Sequence, residues 1–155
     1  YWDPLAIRLC KEAGVGARLN LRIGGKCCRE SGIPVDLDVT VKGIIENATQ
    51  PFGSVTQQMG DAVWLQAAGN VNLVLNFIRG QTFHPDAFSQ FGIDLASLKI
   101  IIPKSSQHFY AGFAPIAAEV IYATSPGTLN MDFANLPFTK LATPFWPNVE
   151  DPFKS

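Results

Sequence analysis

Lys104-Ser105-Ser106-Gln107-His108-Phe109-Tyr110 gathers an ammonium, two hydroxyls, a carboxamide and one of the chain's 2 histidines into one short stretch. Either serine can cap a helix starting beside it. That leaves backbone N–H groups and the positive end of the helix dipole facing an anion or an oxyanion. Lys104 adds a full charge, and His108 can donate or shuttle a proton near neutral pH. The plainer reading is a serine cap, a solvated lysine and a histidine hydrogen-bonded in the core, and residue types alone do not separate the two. Position favours the functional one. The apolar run Leu98-Lys99-Ile100-Ile101-Ile102-Pro103 before it reads as a strand buried on both faces. Residues 109–118 read as helix and 120–123 as a second apolar strand. Strand, polar turn, helix and strand make a βαβ unit with parallel strands, and ligands of open α/β sheets gather at the carboxyl ends of such strands.

Other chemistries fit poorly. Gly24-Gly25-Lys26 has half the composition of a phosphate loop, but the Gly-rich spacing and the trailing Ser or Thr are missing, so a tight turn is the better reading. Gly14-x-Gly16 ends a helix and leads into a strand, which a dinucleotide fingerprint does not. Metal binding needs three or four convergent ligands. His84 and His108 stand far apart, with no HExxH, and Asp36 and Asp38 alternate on the solvent side of a strand. A Ser-His-Asp triad drawn from Ser105, His108 and an aspartate lacks the GxSxG elbow.

The elements that must position these residues follow from local signals. Asp3 is an N-cap with Pro4 at the first helical position, Leu5, Leu9 and Ala13 repeat on one helical face, and Gly14 closes the helix. Residues 18–23 and 35–41 alternate polar and apolar as antiparallel, half-buried strands do, joined by a turn at Gly24-Gly25. The polar stretch Glu46 to Gly60 reads as a loop of functional or mobile length. Residues 61–67 and 71–77 pair across a Gly69-Asn70 turn. Residues 85–91 form a short helix closed by Gly92, and Asp94 caps one more turn. From Ser125 onward Pro126, Pro137, Pro144, Pro147 and Pro152 predict an extended strap across the surface. The expected fold is α/β with a mixed sheet: antiparallel N-terminal strands, then the βαβ unit, then the Pro-rich strap, in one domain over 1–155.

With 155 residues, 47% hydrophobic and 16% charged, the chain can bury a globular core. A net charge of −1 speaks against nucleic acid as a partner, and no apolar run approaches a membrane span. The chain has no initiator Met or leader pattern and opens in a helix start, which predicts a fragment of something longer. Cys10, Cys27 and Cys28 are an odd count with an adjacent pair; free thiols are expected, and with them a reducing, cytoplasmic location. The sequon Asn47-Ala48-Thr49 is read as chance.

Several stretches together carry a family resemblance. They are Asp3-Pro4 through Ala13-Gly14-Val15-Gly16-Ala17, Leu21-Arg22-Ile23-Gly24-Gly25-Lys26, Pro34-Val35-Asp36-Leu37-Asp38-Val39, Gly60-Asp61-Ala62-Val63-Trp64, Gln81-Thr82-Phe83 leading to Gly92-Ile93-Asp94, Lys104 to Pro115, and Pro144-Phe145-Trp146-Pro147. Read as a set, the chain resembles the C-terminal domain of the microcystinase C-like (MlrC) metallopeptidase family, and Lys-Ser-x-Gln-His-Phe-Tyr is the most specific piece.

The resemblance implies the C-terminal domain of a zinc metallopeptidase or amidohydrolase. Its zinc ligands and catalytic Glu and His would belong to a preceding N-terminal domain, so no metal ligand or cofactor is assigned to this chain. It carries the family's Gly-Gly-Lys and Lys-Ser-x-Gln-His motifs onto Gly24, Gly25, Lys26, Lys104, Ser105, Gln107 and His108; these residues are expected to contact substrate, with His108 the candidate catalytic group. The implied partners are that N-terminal domain and a peptide or amide substrate, with a homo-oligomer as a further option. Cleavage of linearised microcystin peptides belongs to one branch of the family. A structural or oligomerisation domain and a small-anion-binding module are the alternatives.

Overall fold

Helix α1 (Pro4–Ala13) begins where the sequence places it. In the computed structural model, which describes residues 1–125 and 132–154, the Asp3 carboxylate accepts the Ala6 N–H at 3.1 Å. Gly14 closes the helix, its N–H donating to the Cys10 carbonyl at 2.9 Å. The face turned to the sheet, however, is Ala6, Ile7 and Cys10, while Leu5 and Leu9 are 58% and 44% exposed. Small side chains at Ala6 and Cys10 let the helix lie close on the sheet, so the leucine stripe faces outward.

The sheet has four strands in sequential order, all antiparallel: β1 (Arg18–Ile23), β2 (Val35–Phe52), β3 (Val55–Ala67) and β4 (Val71–Asn76). Leu21, Ile23, Val39, Val41, Val63, Leu65 and Leu75 point inward and meet Ile7 and Cys10 of α1 in the main core. Outward residues pair across strands, Arg22 with Asp36 at 2.7 and 2.6 Å and Asn20 with Asp38 at 2.8 Å. Asp36 and Asp38 are therefore surface partners within the sheet, as such cross-strand pairs usually are.

Glu46 to Gly60 is not a loop. It forms the far half of a long β2–β3 hairpin that turns at Gly53-Ser54. Two features hid it: the inward positions there include Ala48 and the polar Gln50, and register shifts at Val41/Gly43, Ile45/Ala48 and Ala48/Thr49 interrupt the period of two. Helix α2 (Asp86–Ser89) covers this arm, packing Ala87, Phe88 and Phe91 against Ala48, Met59 and Ala62. The Gly69-Asn70 turn and the Asp94-capped turn at Leu95–Ser97 form as expected.

The βαβ unit does not form within the described residues. Residues 98–103 and 120–123 join no strand, and the expected helix between them is α3 (Tyr110–Phe113) followed by a 3-10 turn at Ala114–Ile116. Apolar character signals that a segment is to be covered, but not that the cover lies in the same chain. Between Asp94 and Lys154 the only buried side chains among the described residues are Phe109 and Phe113. The strap expected from Ser125 onward falls partly on residues 126–131, which lie outside the described residues, as does 155. Residues 132–154 carry one 3-10 turn, Phe133–Asn135, and local contacts such as Phe138 edge-on to Phe145 at 5.1 Å. Among the described residues no helix is long and apolar enough to cross a membrane.

Candidate functional site

The two motifs singled out by the sequence approach each other through Tyr1. Gly24 and Gly25 turn the chain after β1 with φ of 78° and 61°, the left-handed region that favours glycine. A Cβ on Gly24 would stand 2.7 Å from the Tyr1 hydroxyl, and one on Gly25 would stand 2.5 Å from the Pro34 nitrogen. On the other side of Tyr1, the Lys104 ammonium lies 6.0 Å from the ring centroid, within cation–π reach.

Lys26 is engaged inside the fold. Its Nζ donates to Asp3 Oδ2 at 2.6 Å and to the Arg22 carbonyl. Asp3 is 1% exposed and also accepts the Gly24 N–H at 3.2 Å. Three donors (Ala6 N–H, Gly24 N–H and the Lys26 ammonium) thus satisfy one buried carboxylate that caps α1 and fixes the glycine turn. Burial, and then the negative charge of Asp3, push the neighbouring Cys10 thiol up to about 11.

The loop 104–108 is fastened from below. Gln81 Oε1 accepts from Ser105 Oγ at 2.7 Å and from the Ser106 N–H at 3.4 Å, and the Lys104 carbonyl accepts the Thr82 N–H at 3.3 Å. Gln50, 3% exposed at the hairpin end, donates to the Gln81 carbonyl at 2.8 Å. Its oxygen accepts the N–H groups of Phe83 and His84 at 2.8 and 3.3 Å. Phe52 stacks on Phe83 at 4.4 Å, and the His108 ring stands edge-on to both, at 5.2 and 5.9 Å. Lys104, Gln107 and His108 themselves are exposed.

Neither serine caps α3, contrary to expectation. The residue preceding that helix is Phe109, with no side-chain cap, and the Ser105 hydroxyl is spent on Gln81. A helix of 4 residues also carries too little aligned dipole to hold an anion. The loop therefore offers side chains, not a helix terminus. Sequence reasoning missed Gln50, Phe52 and Tyr1 as its supports; the inward alternation that would reveal Gln50 is legible only once the hairpin arm is recognised as strand. Gln81 had a signal, since it opens one of the stretches that carry the family resemblance.

Two shallow depressions mark the surface. One lies along Arg18, Asp38, Thr40 and Gln66, the other along Thr49, Thr56, Asp86 and Gln90, and residues 104–108 line neither. Among the described residues no three His, Cys, Asp or Glu side chains converge where a metal could sit. His84 Nδ1 faces Asp86 at 3.3 Å, and Cys28 Sγ lies 3.2 Å from Ser31 Oγ. These donors are scattered, so the side chains described here do not fit the zinc that the resemblance implies.

Sheet, covering helices and exposed loop make a mixed helix-and-sheet domain. The chain matches the family described as MlrC C-terminus over residues 1–140, and it belongs to that family. It is 34% identical over 146 residues to Microcystinase C of Sphingomonas sp, covering 94% of this chain and 28% of that protein. The crystal structure of a candidate metallopeptidase from Mesorhizobium sp. BNC1 superposes with a TM-score of 0.80 at 26% identity, covering 95% of this chain and 30% of that one. The chain thus spans less than a third of the length of these relatives.

Proposed function

We propose that the chain is the C-terminal part of an MlrC-like hydrolase of peptide or amide bonds, where it walls one side of a substrate cleft completed by a preceding domain. The observation that carries this reading is the contrast within the loop 104–108. Its backbone and Ser105 are tied to Gln81, while Lys104, Gln107 and His108 stay exposed on that fixed base. Side chains held on a fixed base and left exposed suit a surface that a second domain closes.

In this role Lys104 attracts a substrate carboxylate or a polarised carbonyl oxygen, and Gln107 pairs with substrate amides. His108, its ring edge-on to the stacked Phe52 and Phe83, gives a hydrogen bond near the scissile group. Gly24 and Gly25 form the floor beside Tyr1, and Lys26 acts through Asp3 to hold that floor. The metal chemistry implied by the family belongs to ligands in the preceding domain, and no step is assigned to it here. Three free cysteines support a reducing, cytoplasmic setting.

The test is His108→Ala in the full-length protein, assayed on short peptides. The expected result is a loss of about a hundred-fold or more in kcat/KM, with a melting temperature within about 2 °C of wild type. A second reading, a purely structural or oligomerisation domain, draws support from the apolar side chains left exposed after Asp94. It predicts unchanged turnover at equal folded fraction.

A further inference from the structure

We infer that residues 98–103 are a β-strand whose partner lies in the remainder of the longer protein, and that the domain docks by adding this strand to the edge of a sheet there. This rests on the reading that the chain is one part of a larger hydrolase, and it names the contact that reading leaves open.

The segment has strand chemistry without strand partners. Ile100, Ile101 and Ile102 are consecutive β-branched residues, the type most favoured in strands. Ile100 and Ile102 are 76% and 82% exposed. Among the described residues Lys99 through Ile102 make no main-chain hydrogen bond. Bare apolar side chains beside an unpaired backbone are what soluble proteins avoid leaving in water. Residues 120–123 repeat the pattern, with Ile121 and Tyr122 at 76% and 59% exposure and no main-chain bond.

The area points to an occupant of domain size. The chain exposes 10853 Å², against about 7,700 Å² for a compact monomer of its 16.9 kDa. The excess, about 3,000 Å² on this side alone, is of the order of a large obligate interface. Exposed apolar side chains gather among the described residues after Asp94, such as Ile100, Ile102, Ile116, Ile121 and Tyr122, and at Leu5 and Leu9 of α1. The relatives hold more than two thirds of their length outside this domain, which supplies the occupant. Lys104 follows the segment directly. Docking therefore sets residues 104–108 at the carboxyl end of a completed strand, along the seam between domains, where open sheets gather ligands.

Hydrogen exchange read by mass spectrometry on the full-length protein, at two concentrations tenfold apart, tests this. Every second amide across Lys99–Ile102, the set facing the partner strand, should exchange at least about a hundred-fold more slowly than in an unstructured peptide, equally at both concentrations. Ile102→Asp should raise exchange in this segment and in one segment of the other domain. If that variant does not fold, the wild-type measurement decides alone. Exchange at the unstructured rate overturns the inference, and so does protection that disappears on dilution, which would mean a second copy of the chain. Slow exchange in a protein without hydrolase activity keeps the docking and removes the proposed function; fast exchange in an active enzyme does the reverse.

Discussion

Replacing Asp3 separates the two roles open to Gly24-Gly25-Lys26. The carboxylate is 1% exposed and accepts from the Ala6 N–H, the Gly24 N–H and Lys26 Nζ. Asp3→Ala removes an N-cap worth about 1 kcal/mol and leaves the Gly24 N–H unpaired at about 1–3 kcal/mol. The Lys26 side chain is 30% exposed and can turn to water, so its share is held to about 1 kcal/mol. The expected loss is about 3–5 kcal/mol. Asp3→Asn has a single acceptor oxygen: it can keep the cap on the Ala6 N–H, but its NH2 then faces the Gly24 N–H and Lys26 Nζ, so it should lose about 2–4 kcal/mol. The assay is urea unfolding of full-length protein at pH 7, with slopes compared to ensure that midpoints report stability. Lys26→Met completes a double-mutant cycle. If Lys26 serves Asp3, the coupling energy with Asp3→Asn should reach about 1 kcal/mol. Additivity within about 0.5 kcal/mol, with Lys26→Met raising KM and sparing stability, would refute the structural role and return Lys26 to the substrate.

Gln50→Leu should cost about 2–3 kcal/mol, because two N–H groups and one carbonyl lose their buried partner. Exchange at the Phe83 amide reads this directly, and unchanged protection there would count against it. Asp61 is held below its ordinary value of 3.8, chiefly by its hydrogen bond from Lys11. Its contribution to stability is therefore complete above that value and lost as pH falls through the lowered one. Lys11→Met should flatten the acid limb of stability against pH below about 4, and an unaltered limb would argue that the pair is idle. With a disulfide reagent at pH 8, exposed Cys27 and Cys28 should label rapidly, while buried Cys10, its thiol pushed up to about 11, should label only on unfolding.

Much of the fold was legible wherever the signal is local. Asp3-Pro4 and Gly14 mark both ends of α1, alternation gives β1 and the first half of β2, and Gly69-Asn70 gives the β3–β4 turn. What escaped depends on distant partners. Nothing adjacent to Lys26 reveals that its ammonium reaches back to Asp3. Ser105 and Ser106 have the residue types of caps, yet the helix after them starts too late and is too short for either to serve it. The run Ile100-Ile101-Ile102 reads as a buried strand, yet Ile100 and Ile102 are exposed and unpaired here, because an apolar run states a preference for cover and not where a partner lies. The candidate site was found as a motif; its supports, Gln50 and Phe52, were hidden by a polar residue facing inward and by bulges that break the alternation.

The long β2–β3 hairpin has a consequence for how such a chain can vary through descent. Gln50 and Phe52 lie two residues apart on one side of the arm, and both reach the segment that carries the loop 104–108. Side chains on a strand change face with every residue. A single deletion just before Gln50 would therefore swing both away together, unmooring a loop it never touches. Additions at Gly53-Ser54, beyond the last contact, would leave the anchorage intact. Length in this arm is under tighter constraint than identity, and the tolerant point for insertion lies only a residue past Phe52.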